Sequence, residues 1–250
     1  MSARLMVERN LLVYRRGWPY LAAEVLEPLL YLFSIGVGVG KLVGDVPGLD
    51  GVPYAEFVAP ALLATSAMNG AVNETVFTVF GRITADRTYT PILATPMTVR
   101  DVAMGEAWWA VLRGLIASCG FLVLVTVFGL VHSPWAVLTV PGAALIGFAF
   151  AGAGLYAVTW LRDWHDFQLV QLVMLPMFLF ATTFYPLSVY PGWLRPLIAC
   201  LPLYQCIELL RGPALGDVGP GLLVPVVYLS VMGLAGLRFG VRRLERRLLP

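Results

Sequence analysis

Trp135 to Leu161 reads WAVLTVPGAALIGFAFAGAGLYAVTWL, without a single charge. As a helix rising 1.5 Å per residue, those residues cover about 40 Å, and the hydrocarbon of a bilayer is about 30 Å thick. In lipid the backbone has no water to bond, so such a segment must satisfy its own N–H and C=O groups as a helix. Five further apolar blocks repeat the pattern, at residues 22–43, 54–80, 108–131, 167–187 and 222–239. Hydrophobic residues make up 59% of the chain and charged residues 13%, about half the charged share of a soluble domain. Mean hydropathy is +0.79. The sequence predicts an all-α integral membrane protein with six transmembrane helices, a single domain over residues 1–250. Arg4, Glu8, Arg9, Arg15 and Arg16 interrupt any early apolar core, which excludes a cleavable signal peptide.

The basic residues orient the bundle. Arg4, Arg9, Arg15 and Arg16 precede the first block, and Arg82, Arg87 and Arg100 follow the second. Arg162 follows the fourth, and Arg238, Arg242, Arg243, Arg246 and Arg247 end the chain. These are 13 of the 17 basic residues, and the positive-inside rule makes their side cytoplasmic, with both termini inside. Residues 22–240 then form the six-span bundle and residues 241–250 a basic tail. Residues 1–18 hold an interfacial helix, with Met6, Val7, Val13 and Tyr14 on one side and Arg4, Glu8 and Arg15 on the other. A tail held by charge to anionic lipid is the alternative. The mild net charge of +2 is local, and nothing in it points to nucleic acid.

Small and polar residues inside the blocks carry the next information. Gly36–Lys41 imitates a phosphate loop, but Ile35 and Leu42 stand where a glycine and a Ser or Thr are required. Gly36, Gly40 and Gly44 read instead as a close-packing stripe, as do Gly147 with Ala151 and Gly236 with Gly240. Asn69 and Asn73 share a helix face with Glu74 one step round. They either line a translocation path or bridge neighbouring helices. Arg113 lies two turns after Glu106, to snorkel or to pair with an acidic neighbour. Glu24 and Glu27 sit at the first span's entry, Gln168 and Gln171 belong to the fifth, and Pro176 kinks it. His132 and His165 have no metal-spaced partners, and Asp163, His165 and Asp166 read as a solvated loop. Cys119, Cys200 and Cys206 form neither a metal set nor a disulfide framework.

Two connections are unusual. Residues 81–101 mix apolar and charged side chains, and Thr98 with Asp101 forms a capping box that opens the third span's helix. A short helix there, carrying Tyr89, Ile92 and Leu93, either docks into a partner's groove or packs on its own bundle. Residues 184–212 are apolar but cut by prolines into pieces too short to span, which predicts helices that enter the outer leaflet and return.

Three stretches resemble the permease subunits of ABC-2 type exporters, in the branch of nodulation lipo-oligosaccharide and daunorubicin-type drug exporters. They are Phe57–Met68 with Glu74 and Phe80; Leu93–Pro96 through Asp101, Gly105 and Glu106; and Phe184–Pro186 with Pro191, Trp193, Pro202, Leu203 and Arg211. The resemblance implies a dimer of this chain or with a paralogue, working with two cytoplasmic ATPase subunits in a bacterial inner membrane. No catalytic residue, cofactor or metal would then belong to this chain; ATP and Mg would sit on the partner. It implies an ATPase-coupling set of Arg82, Asp86, Arg87, Tyr89, Ile92 and Leu93. A path lined by Asn69, Asn73 and Glu74 would lead to an outer gate with Phe184, Tyr185, Tyr190 and Trp193. Cargo of this branch is an amphiphilic drug, lipid or lipid-linked saccharide. The competing classes are an ion-gradient-driven secondary transporter and a membrane enzyme. The first calls for buried midplane carboxylates and the second for an interfacial carboxylate or histidine cluster.

Overall fold

The computed structural model describes residues 2–14, 18–40, 51–86, 88–131 and 133–248. Helix α1 is Ser2–Tyr14 and α2 is Trp18–Tyr31, which runs on into a π segment, Leu32–Val37. Helix α3 is unbroken from 54 to 84, made of Tyr54–Val72, a π turn Asn73–Thr78 and Val79–Thr84. Then follow α4 (Tyr89–Leu93), α5 (Val99–Val127) and α6 (Thr139–Ala157), the last opened by a 3-10 turn Pro134–Leu138. After α7 (Phe167–Phe180) come two shorter helices, α8 (Arg195–Ala199) and α9 (Pro202–Leu215). Helix α10 (Leu223–Leu248) ends the described chain. Among the described residues, Val99–Val127, Pro134–Ala157 and Pro220–Leu248 are long and apolar enough to cross a bilayer by length and composition.

Several boundaries differ from the sequence reading. Helix α5 begins at Val99, where the Thr98–Asp101 capping box predicts it, well before the apolar run that starts at Trp108. Thr98 Oγ1 accepts from the Asp101 backbone N–H at 3.2 Å, and the Asp101 carboxylate accepts from the Thr98 N–H at 3.1 Å. Helix α7 passes through Pro176 but stops at Phe180 instead of Leu187, and Thr182 takes the left-handed conformation with φ 64°. Helix α10 continues past Phe239 to Leu248.

Helix α1 also presents a different face. Met6 and Asn10 are buried and Tyr14 half-buried against α5, while Val13, expected beside them, is 57% exposed with Leu5, Leu11 and Leu12. A spacing of four residues places Met6, Asn10 and Tyr14 in one row. A polar residue at the centre of that row hid the packing face from an apolar count.

Glycines allow the central helices to touch backbone to backbone. A Cβ on Gly236 would lie 2.5 Å from the Gly152 carbonyl carbon, and one on Gly152 would lie 2.4 Å from the Gly233 oxygen. One on Gly240 would lie 3.0 Å from the Tyr156 nitrogen. Helix α10 therefore seats on α6 along a seam of small residues, as the Gly236–Gly240 spacing predicts. Gly147 faces the Val111 backbone of α5, and Gly36 faces Ala55 of α3; Gly44 lies outside the described residues. The opposite face of α10 leaves Leu223, Val224, Val227, Val231, Leu234 and Phe239 exposed. Such a face suits the apolar interior of a bilayer.

Candidate functional site

Helices α3 and α5 run side by side, and each contributes one carboxylate and one guanidinium to a buried ladder. Glu74 and Arg82 are eight residues apart, whereas two α-helical turns span 7.2. The π turn Asn73–Thr78 takes up the extra residue and brings both to one face. On α5, Glu106 and Arg113 are seven apart and already aligned. The rungs are Arg82 with Glu106, Nη1 to Oε2 at 2.5 Å, and Arg113 with Glu74. Arg82 Nη2 also reaches Glu74 Oε1 at 3.5 Å. Glu74 and Glu106 are 0% and 1% exposed, and both arginines 7%.

Elements outside the two helices complete the ladder. Asn10 of α1 donates from Nδ2 to Glu106 Oε2 at 3.1 Å, and Tyr14 donates its hydroxyl to Glu74 Oε2 at 3.0 Å. The Tyr14 oxygen accepts from Arg113 Nη1 at 2.8 Å, the Arg113 guanidinium lies 4.7 Å from the Tyr14 ring centroid, and Trp109 tilts against that ring at 5.1 Å. Tyr89 of α4 donates to Glu106 Oε1 at 2.9 Å. Burial, reinforced by Glu74, pushes the Tyr14 phenol up to about 12. Burial and the Glu106 carboxylate hold Tyr89 well above the ordinary tyrosine value. Both therefore stay neutral donors. Two carboxylates and two guanidiniums balance in charge. Each is costly to desolvate alone, so removing any one leaves its partner stranded.

The residues singled out from sequence fall into three groups. Arg82 and Tyr89, expected on a coupling surface, are buried in this ladder; their charge and hydroxyl are used within the chain. Ile92 and Leu93 are half-buried and packed on the same core, while Asp86 is exposed together with Thr90 and Pro91. Arg87 lies outside the described residues. Glu74, expected to line a path with Asn69 and Asn73, is turned away from them into the ladder, because consecutive helical residues point about 100° apart. The sequence reading passed over Asn10 and placed Tyr14 on the apolar side of α1 without a polar partner. Their one available signal was the spacing of four with Met6.

Asn69 and Asn73 line an open groove of about 320 Å³ between α2, α3 and α7, with Glu27, Tyr31, Gln171 and Phe178 among its walls. At the opposite end of the bundle, Arg211 is 7% exposed. Its Nη2 donates to the Thr182 carbonyl at 2.8 Å, and its guanidinium lies 3.8 Å from the Phe57 ring centroid. It pins the chain reversal that follows α7. Phe184 meets Phe178 edge-on at 5.3 Å, and its carbonyl accepts from Tyr54 at 3.3 Å. Tyr185 is 51% and Trp193 74% exposed; Tyr190 is half-buried, and its carbonyl accepts from Arg195. Among the described residues no group of His, Cys, Asp and Glu could hold a metal ion, and all three cysteines are free.

A helical bundle with apolar helices of membrane-crossing length, its short helices tied in by buried charge, defines a helical membrane protein. The chain belongs to the ABC-2 type transporter family, whose sequence profile it matches over residues 1–215. It is 34% identical to Nodulation protein J of Sinorhizobium fredii (strain NBRC 101917 / NGR234) over 90% of this chain and 86% of that protein. It is 31% identical to Nodulation protein J of Rhizobium leguminosarum bv. viciae over 96% and 93%. Similarity to the Inner membrane transport permease YadH of Escherichia coli (strain K12) is 26% over 78% and 75%.

Proposed function

We propose that this chain is the membrane-spanning permease subunit of an ATP-driven exporter in a bacterial inner membrane, with both termini cytoplasmic. A second copy or a paralogue completes the membrane half, and a separate cytoplasmic ATPase hydrolyses ATP. The observation that carries the reading is the buried ladder. It ties α1 and α4, the two elements outside the spans on the basic side, to the facing spans α3 and α5. Movement imposed on either small helix is thereby passed to two spans at once, which a two-state transport cycle requires. Contact with the ATPase falls to the exposed edge of Asp86, Thr90 and Pro91, and the same role is assigned to Arg87, which lies outside the described residues. Arg82, Tyr89, Ile92 and Leu93 fix that edge to the bundle.

The groove of Asn69 and Asn73 is the stretch of path this chain contributes, and the segment from Phe184 to Trp193 is its outer gate, behind re-entrant α8 and α9. The mixture of amides, aromatic rings and aliphatic side chains in the groove suits an amphiphile such as a drug, a lipid or a lipid-linked saccharide. An ion-gradient-driven carrier fits less well. Its coupling carboxylate would lie unpaired in the membrane, whereas Glu74 and Glu106 each hold an arginine. Purification from native membranes in mild detergent tests the proposal. An ATP-binding subunit recovered at a one-to-one ratio supports it; a chain that stays alone after gentle cross-linking overturns it.

A further inference from the structure

The geometry points to a binding site for the phosphate headgroup of an anionic lipid, between the ends of α6 and α10. A cleft of about 420 Å³ opens there, walled by Arg162, Arg243, Arg246 and Arg247 with Thr159 and Trp160. Among the described residues no carboxylate lines it. Glu245 lines the neighbouring clefts with Arg242, and the Asp166 carboxylate is held by the backbone N–H groups of Arg162 and Asp163.

Two of the guanidiniums are fixed in advance. Arg243 stacks on the Trp160 ring at 3.5 Å, and Arg247 Nη1 donates to the Val158 carbonyl at the end of α6 at 2.6 Å. A planar donor held by stacking loses little freedom when it grips a phosphate oxygen. Arg162 and Arg246 are exposed and bring further charge to the same opening. A cluster that served only to mark the inner side of the membrane would need none of this fixing.

Depth selects the source of the phosphate. The exposed apolar face of α10 runs from Leu223 to Phe239, about 24 Å of helix at 1.5 Å per residue. Arg243 and Arg246 follow about 6 and 10 Å further on, at headgroup level. Trp160, 58% exposed beside them, is the residue type that favours this layer. A free phosphate ion would satisfy the arginines equally. Only a lipid would also lay an acyl chain on the exposed Phe239, which shares a helix face with Arg243 and Arg246. Basic pockets between membrane helices suit such headgroups.

The test is native mass spectrometry of the full chain in neutral detergent, with phosphatidylglycerol and phosphatidylcholine offered in equal amounts. Phosphatidylglycerol is expected to be retained preferentially. Arg246→Gln, at an exposed position where folding is not at risk, should lower that retention about fivefold, and Arg162→Gln with Arg246→Gln about twenty-five-fold. Arg4→Gln, at an exposed position of α1, should change nothing. Equal retention of both lipids, an unaltered Arg246→Gln variant or an equal loss in Arg4→Gln would overturn the site. Displacement of the lipid by excess inorganic phosphate would overturn the lipid assignment in favour of a soluble anion.

Discussion

Glu106→Leu is the sharpest perturbation of the buried ladder. In the native chain Glu106 accepts from Arg82, Tyr89 and Asn10 at 2.5, 2.9 and 3.1 Å. The leucine leaves Arg82 buried with Glu74, at 3.5 Å, as its remaining carboxylate partner among the described residues, and it removes the acceptor of the Tyr89 and Asn10 donors. Losing one partner of a buried pair costs about 3–5 kcal/mol. For a chain of this length that corresponds to a fall in thermal midpoint of about 6–20 °C. Arg82→Met alone strands Glu106 instead, while Glu74 keeps Arg113. The double variant Arg82→Met with Glu106→Leu removes both charges and leaves an apolar contact between α3 and α5. It should lie at least about 2 kcal/mol above the sum of the single losses, because buried ion pairs replaced as a unit are nearly neutral. Thermal unfolding of the four proteins in one detergent, followed by tryptophan fluorescence at one scan rate, measures the coupling. Additivity within about 0.5 kcal/mol, or a Glu106→Leu midpoint within about 2 °C of wild type, would refute the pairing.

Other expectations follow from the same geometry. Gly236→Leu should prevent α10 from seating on α6, since even a Cβ there meets Gly152 backbone at 2.5 Å; yield and monodispersity on gel filtration report it, whereas Gly38→Leu, with nothing within 4 Å, should be tolerated. Asn73→Leu should leave stability within about 0.5 kcal/mol, because its side chain is exposed in the groove, yet change which cargo is exported; identical transport of every cargo would make it a packing residue. Tyr14 is held above the ordinary tyrosine value. Its contribution is therefore complete below pH about 10 and is lost as pH rises through about 12, where phenolate absorbance should track the fall in stability.

The parts of the site legible in sequence were those carried by one helix at a time. Glu106 and Arg113 share a face by spacing alone, and Thr98 with Asp101 announced the start of α5. The pairing of Arg113 with Glu74 was foreseen only as an unnamed acidic neighbour. Glu74 itself was grouped with Asn69 and Asn73 because it is adjacent in sequence, though the helix turns it to another side. Arg82 and Tyr89 looked like surface residues because a charged, threonine-rich loop surrounds them, and burial at the edge of a membrane bundle has no local signature.

What the amino-acid order determined was the solvent. Long runs without charge, interrupted by arginines, require helices that satisfy their own backbone in lipid, and they required this before any neighbour was known. Glycines four apart fixed which faces approach closely, since only a missing Cβ permits backbone contact. The tertiary structure decided which buried charge meets which. Glu74 and Arg113 are 39 residues apart and Asn10 and Glu106 are 96 apart. A π turn in α3 sets their register, and the energy of each pair exists only once both partners have left water.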